Sequence, residues 1–434
     1  MSYVKQLVTF FVAFLQFSAN ELEAFLGDDN LNVNSETQVF EALQKWICHD
    51  KIERLQNVKS LIAQVRLPLL PKQYLTENVM KQEILRPEDS TQLFKDACEY
   101  QDYPERRCLL RSKNNTPRKN TQRYIYVIGG YDRVEERFLN TVDCYDTAAE
   151  TWLSVAPMTT ARIRHGVTVL DGMVYAVGGQ CDDDVSVRTV ERYDPVANKW
   201  FDITPMNECK GQLAVAVCDG KIYCIGGTDD LLKVSLSSVE CYDPVTNMWT
   251  CLTPMPTARG ALGAATLNGK IYAVGGGDFH IALDTVEVYD PKLDHWSTMP
   301  SMNYARGCLG LTCVNNTLYV FGGAHMHNGM MTYLEESIEC FDPKLNRWLV
   351  ISGTEVSCWG VGICSVASLD DADNSEDQSE LFVVGGIYEF TERDKMLQVT
   401  VTERQIFCKP FHHAKDLSCR VHTGAVALHL PPGS

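Results

Sequence analysis

Residues that could do chemistry are thinly placed along this chain of 434 residues. The histidines of His325-Met326-His327 and His412-His413 lack a carboxylate or cysteine partner at ligand spacing, and an isolated histidine pair does not make a zinc site. The 17 cysteines form no Cys-x-x-Cys pair, which removes zinc ribbons and thioredoxin-like redox sites. Their number is odd. Cys218, Cys224, Cys313 and Cys364 sit alone inside apolar strand-like runs, where cysteine behaves as a small hydrophobe. A reducing compartment, the cytoplasm, is the expected setting. There is no Walker-type phosphate loop, and no spacing supports a Ser-His-Asp set. The expectation is therefore a chain with no catalytic residues, no metal and no cofactor.

The elements that would position a binding site are far more regular. Six apolar strands end in a glycine pair: Gly129-Gly130, Gly178-Gly179, Gly226-Gly227, Gly275-Gly276, Gly322-Gly323 and Gly385-Gly386. Successive pairs lie 49, 48, 49, 47 and 63 residues apart, the last interval lengthened by the acidic insertion Asp370 to Glu380. A period near 50 is that of a β-propeller blade. A second element keeps step: Tyr145, Tyr193, Tyr242, Tyr289 and Phe341, each followed by Asp, precede Trp152, Trp200, Trp249, Trp296 and Trp348 by seven residues every time. An Asp-Pro turn with Asn or Asp shortly after it makes a tight hairpin, and the tryptophan begins the next strand.

A third element is Arg-x-x-x-Gly at Arg162, Arg259 and Arg306, with Lys210 and Cys358 at the corresponding places. It recurs at Arg420 before the apolar run AVALHL, with no glycine-pair strand after it. The first glycine-pair strand, from Tyr124, lacks that element before it. The C-terminal strand is therefore expected to complete the first blade and close a six-bladed ring, removing open sheet edges. The glycine pairs permit positive φ and close approach, the aromatics fill wedges between blades, and the arginines bond carbonyls. Around Thr402 to Phe407 neither the Tyr-Asp pair nor the tryptophan is present, so irregular outer strands are expected there.

Residues 1–105 read as short helices. Ser18 to Glu21 and Ser35 to Gln38 fit the capping-box pattern. Val39, Phe40, Leu43, Trp46 and Ile47 fall on one helical face. Leu61, Ile62 and Val65 mark another helix stopped by Pro68, Pro71 can start a third, and Leu93, Phe94 and Ala97 follow a Ser90 cap. The apolar run Leu7 to Leu15 is too short to span a bilayer and is expected to be a buried helix. Residues 106–123 carry seven basic residues and no acidic one, and are expected to be a solvated linker. With −6 on residues 1–105 and a total of −17, the remainder is left at −18. That charge argues against nucleic acid and favours a basic partner.

Residues 124–430, about 70% of the chain, resemble the Kelch family of six-bladed propellers on these glycine-pair, Tyr-Asp, Trp and Arg-x-x-x-Gly motifs. The stretches Phe14 to Val33, Glu36 to Asp50 and Val65 to Leu75 are similar to the BACK domain of Kelch-like proteins. The resemblance implies an α plus all-β architecture: a short-helix BACK-like module (1–105, N-terminally truncated), a basic linker (106–123) and a Kelch propeller (124–430). In that family a BTB domain, which is not found here, dimerises and with early BACK helices grips cullin-3. The propeller captures the protein to be ubiquitinated. The chain is thus expected to resemble a substrate-recognition subunit of a cullin-3 RING ubiquitin ligase, and to be monomeric. The alternative is an actin-associated Kelch scaffold. Copper radical oxidases share the propeller type but need a Tyr, Cys and His set around a metal, and no such constellation is found.

Propellers bind through loops at one end of the channel. In Kelch-like proteins the contacts follow the glycine pairs and the repeated arginines. Carried onto this chain, the resemblance implies Tyr131, Gln180, Asp229, Asp230, Phe279, His280, His325, His327, Tyr388 and Phe390 from the first set. The second supplies Arg164, Gln212, Trp359 and His422. Arg164 and Tyr131 match an arginine and a tyrosine of the family's acidic-degron reader, but the other basic positions are not supplied, so the same acidic peptide is not expected. Trp359, Tyr131, Phe279 and Arg164 are the leading anchors, since aromatics and arginine dominate interfaces. A protein partner is expected, with no nucleic acid and no membrane.

Overall fold

The computed structural model describes residues 14–29, 31, 33, 35–82, 91–110, 112–118, 124–147, 149–181, 185–278, 280–327, 330–333, 338–351, 358–360, 362–367, 379–384, 387–388, 397–401, 406–410, 420–421 and 424–428. The chain divides into two compact units, one ending at Gln122 and one running Arg123–Leu428.

The first unit is helical, with its longer helices at Ala19–Gly27, Glu36–His49 and Thr91–Asp102 and shorter turns between them. Ser18 caps the first of these as expected: its hydroxyl accepts from Glu21 N, and the Glu21 carboxylate accepts from Ser18 N at 2.8 Å. Ser35 does not act as a side-chain cap. The first turn of Glu36–His49 is held instead by the buried Glu36 carboxylate, which accepts from Arg66 N at 3.2 Å and pairs with Arg118 at 2.6 Å. Val39, Phe40, Leu43, Trp46 and Ile47 share the core with Leu61, Ile62, Val65, Phe94 and Ala97. Residues 1–13 and Ser90 lie outside the described residues. Among the described residues no helix is long and apolar enough to cross a membrane.

The solvated-linker expectation fails for two of its arginines. Arg118 is fully buried and also donates to the Asp28 carbonyl at 2.6 Å. Arg107 is buried with its guanidinium over the Tyr100 ring and its Nε donating to the Tyr100 carbonyl at 2.9 Å. The buried Glu36 and the carbonyls at the end of Ala19–Gly27 attract cations, as helix C-termini do.

The second unit is a β-propeller. Among its described residues are six four-stranded antiparallel sheets. From inner to outer strand, the first consists of Gly424–Leu428, Tyr124–Ile128, Val142–Asp146 and Thr151–Ser154. The second is Gly166–Leu170, Met173–Val177, Val190–Asp194 and Lys199–Ile203, and the third Ala214–Cys218, Lys221–Ile225, Val239–Asp243 and Met248–Leu252. The fourth is Gly263–Leu267, Lys270–Val274, Val286–Asp290 and His295–Met299, and the fifth Gly310–Val314, Thr317–Phe321, Ile338–Asp342 and Arg347–Ile351. The sixth is Gly362–Ala367, Ser379–Val384, Leu397–Val401 and Ile406–Pro410. Inner strands touch in sequence from the first sheet to the sixth, and that of the sixth touches Gly424–Leu428. The outer strands of the sixth sheet pair in register, Leu397↔Pro410 to Val401↔Ile406. The expectation of irregularity is corrected: the ladder needs only backbone groups, not the missing Tyr-Trp pair.

The repeat motifs explain the sheet contacts. Within each of five sheets the aromatic faces its tryptophan across the outer strands, as in Tyr193↔Trp200, with ring centroids 5.1–5.5 Å apart. Four tryptophans then donate their indole N–H to the preceding sheet, Trp200 to Ala156 O at 2.9 Å and Trp249 to Thr204 O at 2.8 Å among them. The Asp-Pro hairpins close through Asn198, Asn247 and Asp294, which hold positive φ of 46–54° and accept from the tyrosine hydroxyls. Asn and Asp tolerate that conformation better than most residues. Cys218, Cys224, Cys313 and Cys364 lie in strands, as expected.

Candidate functional site

Because strands alternate in direction, the segments after each glycine pair and the segments after each repeated cation emerge at the same end of the propeller. Backbone pairing ties the two sets together there. Ile163 bridges Gln180, Gly211 bridges Thr228, Gly260 bridges Gly277 and Gly307 bridges Ala324. Beside the first sheet a small separate ladder pairs Tyr131 with Val421, and beside the sixth another pairs Trp359 with Ile387 and Cys358 with Tyr388.

The repeated cations anchor this end from beneath. Arg162, Arg259 and Arg306 are fully buried and pair with Glu191, Glu287 and Glu339 at 3.0, 2.9 and 2.8 Å. Lys210 sits 3.7 Å from Glu240. Each cation's main-chain carbonyl accepts from the second glycine of the preceding sheet, as Arg162 O does from Gly130 N at 2.9 Å. A side chain on Gly129 would place Cβ 2.7 Å from that same oxygen at a φ of +59°, so glycine is required. Burial depresses the pKa of Arg259 and Arg306, and their glutamates oppose that shift. The sixth sheet replaces both members of the pair: Cys358 stands at the cation position, and Leu397, paired to Val383 as Glu191 is to Ala176, stands at the acid position.

Two residues beyond each cation the backbone turns left-handed without glycine, at Arg164 (φ 52°), Gln212 (51°), Ala261 (53°) and Cys308 (53°). Each joins the next by a main-chain hydrogen bond. Gln212 N donates to Arg164 O, Ala261 N to Gln212 O, Cys308 N to Ala261 O and Gly360 N to Cys308 O, at 2.8–3.0 Å. These five residues form a belt at this end of the propeller. Sequence reasoning named Arg164 and Gln212, as partner-binding candidates, but not Ala261 and Cys308. Aligning the repeats on the cation would have placed all four in one column, but nothing in their residue types announces the shared φ.

The candidate residues separate by environment. Tyr131 is half-buried, its ring 5.8 Å from Phe138. Arg164 Nη1 donates to Gln180 Oε1 at 3.2 Å, and Gln180 itself is buried. Gln212 is half-buried. His280 is exposed, on a turn whose amide donates to Asp278 Oδ1 at 2.8 Å. His325 is half-buried, with Nδ1 3.1 Å from Ala305 O. Asp229 caps its own turn, and Asp230 is buried, accepting from Thr228 and Ser186 hydroxyls. Trp359, Tyr388 and His327 are placed by backbone only, and Phe279, Phe390 and His422 lie outside the described residues.

His165 is a second feature that the sequence reading missed. Leu213, Leu262 and Leu309 occupy the same repeat position, next to the glycine pairs. The imidazole is buried, and neither ring nitrogen meets a hydrogen-bonding partner among the described residues. Burial, and then the Arg162 charge, push its pKa down to about 3, so the ring is neutral. Among the described residues no cluster of histidine, cysteine and carboxylate side chains could hold a metal ion. Burial raises the thiol pKa of Cys144 and Cys224 to about 12, which leaves these sulfurs protonated and unreactive. The chemistry available at the belt is hydrogen bonding, charge and apolar contact.

Comparison with known proteins agrees with this architecture. Family models match at residues 5–80 (BACK: BTB And C-terminal Kelch), 111–276 (KLHDC2/KLHL20/DRC7 Kelch-repeats domain), and 258–303 and 305–353 (Kelch motif). Kelch-like protein 4 of Homo sapiens is 34% identical over 158 residues, 36% of this chain and 22% of that protein. Kelch-like protein 3 of Bos taurus is 33% identical over 170 residues, 38% of this chain and 28% of that protein. The matched stretch thus spans about a quarter of these relatives' length. The solved "Structure of YjhT" superposes with a TM-score of 0.51 at 16% identity, covering 67% of this chain and 98% of that one, a likeness of fold alone.

Proposed function

We propose that this chain, a Kelch-like protein combining BACK and Kelch domains, is a substrate-recognition subunit of a cullin-3 RING ubiquitin ligase. Its helical unit engages cullin-3, and its propeller captures a protein substrate at the end that carries Arg164 and Gln212. The propeller is read as six-bladed, its ring closed by pairing of Gly424–Leu428 with Tyr124–Ile128. The protein is read as a cytoplasmic binding platform without catalytic activity.

The observation that supports this most is the backbone belt from Arg164 to Gly360. It fixes variable side chains in a constant frame, the arrangement expected of a recognition surface carried on a rigid scaffold. Proximity labelling in cells tests the capture site. Proteins labelled by the wild-type chain should largely disappear with Arg164→Ala combined with Gln212→Ala, and persist with Leu293→Asp, which alters an exposed hairpin at the opposite end. An unchanged protein set with the double variant removes the assignment of capture to this end.

A further inference from the structure

The loops after the glycine pairs carry an apolar crest that the belt does not use. Leu231 and Leu232 form the tip of the Thr228–Asp229 and Val234–Ser235 hairpin and are 80% and 67% exposed. Ile281 on the next sheet's loop is 51% exposed, and Val185 and Val234 are also exposed. Isolated exposed aliphatics are ordinary on soluble proteins, but here five lie on the loops of three adjacent sheets at one end.

These loops are held in place. Ser186 Oγ donates to the Asp230 carboxylate and accepts from Asp230 N at 3.1 Å, and Ser235 Oγ donates to Gly277 O at 3.1 Å, so each hairpin is braced against the next sheet's loop. Asp229 Oδ1 accepts from the amides of Leu231 and Leu232 at 3.0 Å, and Asp278 Oδ1 accepts from those of His280 and Ile281 at 2.8 and 2.7 Å. The tips are thus presented by ordered turns, and little entropy is lost when a partner covers them.

The surrounding charge selects the partner. Asp278 is exposed and Asp229 partly so, each carrying a carboxylate beside an apolar tip. Turn amides hold the Asp278 carboxyl below the usual range, so it stays ionised down to acidic pH. Lys233 is the one lysine or arginine on the described part of these two loops, where the exposed His280 also lies, and the propeller segment as a whole carries −18. We propose that the crest at Leu231, Leu232 and Ile281 docks a protein segment in which lysine or arginine residues flank apolar side chains. The apolar groups would cover the tips and the cations would meet Asp229 and Asp278. This rests on the propeller being a protein-capture domain, and adds where a cationic-apolar partner sits and what it presents.

Random peptides displayed on phage and panned on the purified 434-residue chain would test it. The expected enriched peptides carry net positive charge and at least two apolar residues. Fluorescence anisotropy of a selected peptide should show binding weakened roughly tenfold or more by Leu231→Asp, less by Leu231→Ala, and unchanged by Leu293→Asp. Circular dichroism melts confirm that the variants fold. Acid-rich peptides, absence of enrichment, or binding indifferent to Leu231 and Leu232 would each overturn the proposal. Peptides lost with Arg164→Ala but not with Leu231→Asp would overturn the crest and leave protein capture standing. Self-association of the wild-type chain abolished by Leu231→Asp would show that a second copy covers the crest, which also overturns it.

Discussion

Gln212 donates its main-chain amide to the carbonyl of Arg164 at 3.0 Å, from one sheet of the propeller to the next, and both residues hold a positive φ. The same bond recurs from Gln212 to Ala261, from Ala261 to Cys308 and from Cys308 to Gly360. The side chains at these positions differ in every repeat, while the backbone that carries them does not. That separation lets one scaffold present a particular surface.

Ala261 gives a direct test of the belt. At φ 53° a β-branched side chain is strained, whereas glycine is not. Ala261→Val should destabilise the propeller by about 1–3 kcal/mol, and Ala261→Gly should be near neutral. Urea denaturation followed by tryptophan fluorescence measures both, and equal stability of the two variants would contradict the belt geometry.

The buried ion pairs make a second prediction. Arg306→Leu leaves Glu339 charged and fully buried, so it should cost about 3–5 kcal/mol. Adding Glu339→Leu should restore much of that loss, because the pair's desolvation disappears with both partners. The sixth sheet already has this arrangement with Cys358 and Leu397. A double variant as unstable as the single one would show that the sixth sheet is not a guide to the others.

His165 should be a stability cost with a pH signature. Its folded pKa of about 3 lies below the ordinary 6.5, so the unfolded chain takes up a proton first as the solution is acidified. The protonation part of this cost is absent above about pH 6.5 and grows as pH falls toward 3. His165→Leu should raise stability by about 1–3 kcal/mol at neutral pH through removal of two buried nitrogens that meet no partner among the described residues. It should also flatten the loss between pH 6.5 and 3, measured by denaturation at each pH. No gain at neutral pH would mean that the ring nitrogens find partners in solution.

Arg118 tests the corrected reading of the basic stretch. Arg118→Ala leaves Glu36 buried without its guanidinium partner and should destabilise the helical unit by about 3–5 kcal/mol. Lys113→Ala, at an exposed cation, should stay within about 0.5 kcal/mol. Similar effects from both would return the stretch to a solvated segment.

Much of the fold was legible because its signals are periodic. The glycine pairs, the aromatic-to-Trp offset and the Arg-x-x-x-Gly motif each mark a backbone constraint, and their six, five and four repetitions lift them above chance. Gly129 needs its positive φ, Trp200 its carbonyl and Arg162 the carbonyls of Gly178 and Thr189, so residue type and role coincide, while the glutamate partner of Arg162 was not foreseen. The belt was half legible, because Ala261 and Cys308 take a left-handed φ that their side chains do not advertise. Arg118 was misread since its partner Glu36 lies far away in sequence, and charge composition alone cannot see a buried pair. His165 was missed because its departure from the leucine column shows only once the repeats are aligned at that position.

Calorimetric titration of the purified chain with the N-terminal region of cullin-3 tests the central claim most directly. The account expects saturable binding at one cullin-3 per chain, unchanged by Arg164→Ala at the capture end. Absence of binding at a concentration of about 100 μM, where an affinity of about −5.5 kcal/mol would already register, would contradict the ligase-subunit reading.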